Sequence, residues 1–369
     1  MVCNLIIFKE VVMKKTVFKI TFSILGFVVV FCAAVLLCMF RNVIGTVLSV
    51  DVEDGGLYVV DYKEDYKLDE LLERGGVTNE DELVQYILEV MLRGLPIEIP
   101  YEVPELGCST FNTSTTDGNH VFGRNYDNQE GDYAVVTSNP KSGYSSVSVV
   151  SLSFLGYTDE STPESIMNRI RLLATPYFPL DGVNEKGLAV GVLQLFAEPT
   201  NQQTEKPDVD TTLAIRIILD KAATVSEAIE ILESYDMHAS AGGCYHLHVA
   251  DAEGDSAVVS WVDNEMIVTR TDTDYQCATN FFVHDVDFEY TKHGEDRYEI
   301  ITTALEKATN GITLEEGMDI LKSAAQIHTV GSDGNIYTTQ WSSIYDLKNC
   351  TLTICGDMDY DNPRTYSVK

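Results

Sequence analysis

The sequence predicts an α+β fold in which two sheets stack between layers of helix, preceded by a membrane-crossing segment and an acidic linker. Three observations predict it. Ile20 to Phe40 is a run without charge, strand-like segments with turn punctuation crowd residues 108–155 and return at the end, and helical periodicity with capping signals concentrates between them. At 369 residues, one large layered domain with an N-terminal extension accounts for the length without a second core.

The extension comes first. Ile20 to Phe40 is long enough to cross a hydrocarbon layer of ~30 Å as a helix. Lysines precede it, which keeps the N-terminus inside and the remainder extracytoplasmic. A cleaved signal peptide is the rival reading, with a secreted product, but no A-x-A-like site follows Phe40. Met13-Lys14-Lys15 has the look of an alternative start. The chain carries a net charge of −32, yet residues 1–41 hold Lys9, Lys14, Lys15, Lys19 and Arg41 against Glu10 alone. The acid therefore lies beyond Arg41, and it repels a phosphate backbone, which excludes nucleic acid as a partner.

Residues 41–107 read as an acidic segment with a short strand at Leu57–Val60 and two helical stretches. The second, Asp81 to Arg93, follows Thr78 as N-cap and puts Leu83, Ile87, Val90 and Met91 on one face. Pro96, Pro100 and Pro104 then make an extended approach to Cys108, either an interdomain tether or a linker open to cutting. Strands follow at 108–113 and 120–125 around Thr116-Asp117-Gly118-Asn119, then at 133–137, 146–155, 187–196, 246–250, 256–262 and 266–269. Asn184-Glu185-Lys186-Gly187 reads as a hairpin turn, with Gly187 supplying the conformation. Helices fit at 211–222, after the capping box Thr224-x-x-Glu227, from about 296 to 309, and after Thr313-x-x-Glu316. Strands at 341–345 and 351–354 end the pattern.

Eight cysteines divide into Cys3, Cys32 and Cys38 near the N-terminus and five beyond, so pairing leaves at least one thiol free in the extracytoplasmic part. No pair has zinc-ligand spacing. Cys350 and Cys355 read as buried small hydrophobes. His246-x-His248 puts two imidazoles on one strand face, but no third ligand has suitable spacing, and a strand-surface pair is the simpler reading. No cofactor or metal is expected.

The chemistry centres on Cys108. A thiol with a free pKa of ~8.5 needs help to attack at neutral pH. Pairing of 108–113 with 120–125 returns Arg124 and Asp127 to the Cys108 end of the sheet, where a cation favours thiolate and a carboxylate can hold an amine; Gly123 permits close backbone approach. An ordinary hairpin with a buried cysteine and a surface Arg/Asp pair fits the same spacing.

Cys108-Ser109-Thr110-Phe111 followed by Phe122-Gly123-Arg124-Asn125-Tyr126-Asp127 resembles the start of the choloylglycine hydrolase and acid-ceramidase-like group of N-terminal-nucleophile hydrolases. Further matches occur in order: Asp181 to Gly191, Cys277-Ala278-Thr279-Asn280, Asp296-Arg297-Tyr298 and Thr339 to Asp346. The resemblance runs from Cys108 to the end and implies a four-layer αββα sandwich over residues 108–369. Residues 1–40 would then be a cytoplasmic tail and anchor, and residues 41–107 a pro-segment.

The resemblance also implies roles. Cleavage of Gly107-Cys108 would free the Cys108 α-amine, whose ordinary pKa of ~7.7–8.0 suits a general base. The thiolate would attack a linear amide of an N-acyl amine or N-acyl amino acid and pass through a thioester. Arg124 would sit beside the sulfur, Asp127 would orient the amine, Asn280 would serve the oxyanion, and Arg297 would anchor the polar network. Gln194 stands where bile salt hydrolases carry an oxyanion Asn. The short stretch between Asn280 and Arg297 departs from their tetramer and steroid-pocket loops, which leaves homo-oligomerisation open. The rival functions are an acyltransferase using the same thioester and an inactive surface-binding domain.

Overall fold

The computed structural model describes residues 2–91, 99, 107–158, 160–330 and 334–368. The chain divides into two compact units, Met1–Gly45 and Thr46–Lys369. The first consists mainly of one helix, Val2–Met39, within which Phe18–Met39 is long and apolar enough to cross a membrane. The expected extended path through Pro96, Pro100 and Pro104 lies outside the described residues.

The second unit is built on two sheets. One runs Asp51–Val52, Leu57–Tyr62, Tyr133–Ser138, Ser146–Ser151, Asp181–Asn184, Ala189–Leu195, Cys244–Ala250, Ser256–Val262 and Glu265–Thr269 in spatial order. The other runs Tyr275–Ala278, Gly107–Ser114, His120–Asn128, Ile336–Asp346, Thr351–Gly356 and Arg364–Ser367. Their inner faces meet where Gly107–Ser114 lies against Ala189–Leu195. Helices Thr211–Lys221 and Val225–Glu233 cover the first sheet, and Glu295–Lys307 and Leu314–Ser323 cover the second. The layering is helix, sheet, sheet, helix, as expected.

Local rules explain most elements. Asp210 caps Thr211–Lys221 by accepting from the Leu213 N–H, and Thr224 caps Val225–Glu233. Thr313 and Glu316 form a complete capping box. Gly187, with φ of 79°, closes the hairpin between Asp181–Asn184 and Ala189–Leu195. The expected helix 81–93 begins instead at Glu80 with Asn79 as cap, and its second half, Ile87–Met91, is a π-turn. Cys355 is buried as expected, whereas Cys350 sits half-buried in the turn before its strand with φ of 52°. Strands Tyr275–Ala278 and Arg364–Ser367 are short and were not expected from the pattern.

Residues upstream of Cys108 are part of this core. Leu57–Tyr62 pairs in parallel with Tyr133–Ser138, inside the first sheet rather than beside it. Leu57, Val60, Leu68, Leu71, Leu83 and Ile87 are all buried. Tyr66 reaches further, donating its hydroxyl to both carboxylate oxygens of Asp220 at 2.7 Å. Asp220 pairs with Arg216 at 2.6 Å, and Arg216 donates to Ser146 Oγ at 2.7 Å. Arg216 and Asp220 are essentially fully buried, so each depends on its partners for compensation. Tyr66→Phe removes a buried hydrogen bond to a charged group. The expected loss is ~1.5–3 kcal/mol, read as a lower denaturant midpoint at unchanged m-value in urea unfolding.

Candidate active site

The Gly107–Ser114 and His120–Asn128 strands form an antiparallel hairpin with Cys108 opposite Tyr126, Gly107 opposite Asp127 and Thr110 opposite Arg124. Asp117-Gly118 turns the chain, with Gly118 at φ of 81°. Gly123 is required on the next strand, because a Cβ there would lie 2.4 Å from the Phe111 ring. The hairpin thus delivers Arg124 and Asp127 to the Cys108 end, as the spacing predicts.

Cys108 is completely buried, and the Arg124 Nη2–H group points at its Sγ from 3.4 Å. Arg124 is fixed from its other edge by Asp181, whose Oδ2 lies 2.8 Å from Nε, and it also donates to the Val192 carbonyl. Asp181 comes from the first sheet and receives hydrogen bonds from Trp341 Nε1 at 3.3 Å and from the Tyr345 hydroxyl. The guanidinium that faces the sulfur is therefore held across the gap between the sheets.

The Cys108 backbone nitrogen makes a second set of contacts. Its N–H donates to Asn280 Oδ1 at 2.7 Å, and Arg297 Nη2 donates to the same oxygen at 2.8 Å. Arg297 Nη1 donates to the Cys108 carbonyl and to Asp127 Oδ2, the latter at 3.2 Å. Asp127 Oδ1 accepts from Thr339 Oγ1 at 2.6 Å. Asn280 Nδ2 donates to the main-chain oxygen of Gln194 at 2.8 Å, and because Nδ2 carries two protons, that bond is compatible with donation to an oxyanion. Gln194 thus meets the site through its carbonyl.

Electrostatics follow burial. Desolvation pushes the Cys108 thiol up to about 11, against the pull of Arg124 and Arg297, while Asp127 and Asp181 push the same way as burial. Burial likewise raises Asp127, opposed chiefly by Arg297 and the Thr339 hydroxyl. The intact chain therefore keeps Cys108 as a thiol at neutral pH.

All of Gly107, Cys108, Arg124, Asp127, Asn280 and Arg297 converge here. Sequence reasoning quoted Asp181, Thr339, Trp341 and Tyr345 within motifs without giving them roles, and it passed over Gln326. His246 and His248, expected on a strand surface, are fully buried between the sheets. His246 Nε2 lies 2.7 Å from the Thr279 carbonyl, and His248 Nδ1 lies 2.8 Å from Thr110 Oγ1. Burial lowers them to about 4 and about 3, so both are neutral struts flanking Asn280 and the Gly107–Ser114 strand. Among the described residues no cluster of three His, Cys, Asp or Glu could hold a metal.

A cavity of about 300 Å³ opens beside Gly107, bounded by Arg297, Gln326, Phe196, His293, Ile300 and Tyr337 among others. It lies next to the Gly107–Cys108 bond on the Gly107 side.

The fold is an α+β sandwich of two sheets between helical layers, with Cys108 buried beside Arg124, Asn280 and Arg297. A family model described as acyl-coenzyme A:6-aminopenicillanic acid acyl-transferase matches residues 177–360, downstream of the Cys108 hairpin. A penicillin V acylase from Pectobacterium atrosepticum is 32% identical over 111 residues, covering 27% of this chain and 29% of that protein. The matched region thus spans less than a third of the curated relative. A conjugated bile acid hydrolase from Clostridium perfringens, solved as two variants, superposes with TM-scores of 0.51 and 0.52 at 16% and 15% identity, covering 70% of this chain and 92% of that one in each case. That likeness shows the fold. The chain is similar to the penicillin V acylase and choloylglycine hydrolase-like family.

Alkylation of the intact chain tests the electrostatics. Labelling of Cys108 by a small haloacetamide is expected to be slow at neutral pH and to rise with an apparent pKa near 11; an apparent value near that of a free thiol, ~8.5, would contradict it. Cys108→Ala supplies the background from the other cysteines.

Proposed function

We propose that this chain is a cysteine amidohydrolase that cleaves linear amide C–N bonds of N-acyl amines or N-acyl amino acids, activated by cleavage of its own Gly107–Cys108 bond. The observation that carries the reading is the pair of contacts on Cys108: Arg124 Nη2 at its sulfur and Asn280 Oδ1 at its nitrogen. Once the bond is cut, that nitrogen becomes an α-amine held by Asn280 and close to Asp127, able to take the thiol proton at neutral pH. The sulfur attacks the substrate carbonyl, the amine leaves with a proton, and water hydrolyses the thioester. Asn280 Nδ2 serves the oxyanion, Arg297 keeps Asn280 and Asp127 in register, and Gln194 supports Asn280 through its carbonyl.

In this reading residues 20–40 anchor the protein with the catalytic part extracytoplasmic, and residues 41–107 are the pro-segment. Burial of Leu57, Val60 and Tyr66 supports noncovalent retention of that piece after the cut. A second reading has one specific support. The matching family model is described as an acyl-transferase, and the same thioester passed to an amine instead of water would give that activity.

N-terminal sequencing of the purified protein is expected to find a subunit beginning at Cys108, absent in Cys108→Ala; an active protein that remains uncut would refute the mechanism. Asn280→Ala is expected to lower kcat by ~10²–10³, the size of a lost oxyanion donor, in an amine-release assay over N-acyl amides, bile-acid conjugates and penicillin V. Adding amine acceptors to that assay separates the two readings: a new amide product at the expense of free acid marks the transferase.

A further inference from the structure

We infer that the site accepts acyl groups with an unbranched CH₂ next to the carbonyl, and that Gln326 and Asp127 enforce this; the inference rests on the thioester reading above. Its basis is the identity of the first acyl group that Cys108 meets. In self-cleavage, Sγ attacks the Gly107 carbonyl carbon, the bond from that carbon to the Cys108 nitrogen breaks, and the thiol proton ends on the nitrogen as it becomes an amine. Water then cleaves the thioester, leaving a carboxylate on Gly107 and returning a proton to the sulfur. Gly107 is thus an acyl donor to the same sulfur that takes substrate, so in the inferred arrangement its Cα marks the side from which a substrate's α-carbon approaches.

That position is closed on one side. A Cβ added to Gly107 would lie 2.8 Å from Gln326 Nε2, 3.0 Å from Asp127 Cβ and 3.3 Å from Asp127 Oδ2. The Gln326 amide is the end of a long side chain and could swing, but its backbone is pinned to Thr339: its N–H donates to Thr339 Oγ1 at 2.8 Å, and its carbonyl accepts from Thr339 N–H at 3.0 Å. Its side chain also bonds Asp127. Asp127 cannot swing, since it is fully buried in mid-strand and held by Arg297 and Thr339. An α-substituent in the sense of an L-residue's Cβ therefore meets one movable and one fixed obstacle. Beyond Gly107 the cavity is walled by the apolar Phe196, Ile300 and Val330 and by the polar His293, Asp296 and Gln326, and about 300 Å³ lies at the small end of ligand pockets. A compact acyl group with a CH₂ at its root fits both constraints.

The test uses the wild-type protein and three amides of one amine, carrying hexanoyl and the two enantiomeric α-methylhexanoyl groups. The enantiomer whose methyl matches an L-residue's Cβ is expected to show kcat/KM at least ~10-fold below hexanoyl, about 1.4 kcal/mol. Gln326→Ala is expected to narrow that ratio, whatever it does to hexanoyl turnover. Turnover of hexanoyl with both enantiomers within ~2-fold of it would overturn the inference and leave the amidase reading standing. In parallel, Gly107→Ala, checked by thermal melting for an intact fold, is expected to slow the appearance of the Cys108 N-terminus at least ~10-fold. Cleavage at the wild-type rate in that variant would overturn the inference independently of any substrate. Absence of both cleavage and turnover in the wild type would overturn the amidase reading and the inference with it.

Discussion

The guanidinium of Arg297 is the contact on which the site depends. It reaches the Cys108 carbonyl, the Asp127 carboxylate and Asn280 Oδ1 together, so two strands of one sheet, the segment just after a third and the first turn of its covering helix meet at one cation. Removing such a partner leaves a buried carboxylate without its charge compensation, a cost of several kcal/mol in general. The backbone has been shaped around it. Gly294, at φ of 79°, precedes the helix because a Cβ there would lie 2.5 Å from Arg297 Nη2.

The two faces of Cys108 are supported from different directions. The nitrogen is handled on the side of the second sheet and its covering helix, by Asn280, Arg297, Asp127 and Thr339. The sulfur is handled across the sandwich, through Arg124 and the first-sheet residue Asp181. Under the proposed mechanism, this division separates the acid-base function of the nitrogen from the electrostatics of the sulfur. His246 and His248 fill the inter-sheet space uncharged, because burial disfavours their protonated forms.

What the sequence made legible was local. The nucleophile hairpin, the Gly187 turn and the capping boxes each rest on residues a few positions apart, where spacing determines geometry. Arg124 and Asp127 followed because the hairpin has one register. What stayed hidden was long-range: Asp127 meets Thr339 212 residues later, and Arg124 meets Asp181 across the two sheets. No periodicity encodes such a meeting. The His246/His248 pair misled for a related reason, since alternation identifies a shared face but not which face is covered. The π-turn at Ile87–Met91 is a departure within an otherwise regular helical pattern, and the one-residue shift from Thr78 to Asn79 reflects two adjacent residues that both make good caps.

The Thr339–Asp127 contact has a bearing on timing. A ribosome delivers Gly107 and Cys108 early, together with the arginine beside the sulfur, but the residues that grip the Cys108 nitrogen and its carboxylate neighbour emerge only near the end of translation. The latest of them lies in Ile336–Asp346, the strand laid down beside His120–Asn128. A bond whose scission needs that full set cannot be cut on a half-made or truncated chain. Under the proposed mechanism, the cut would mark the moment at which the sandwich is complete, so that only finished molecules acquire a free nucleophile.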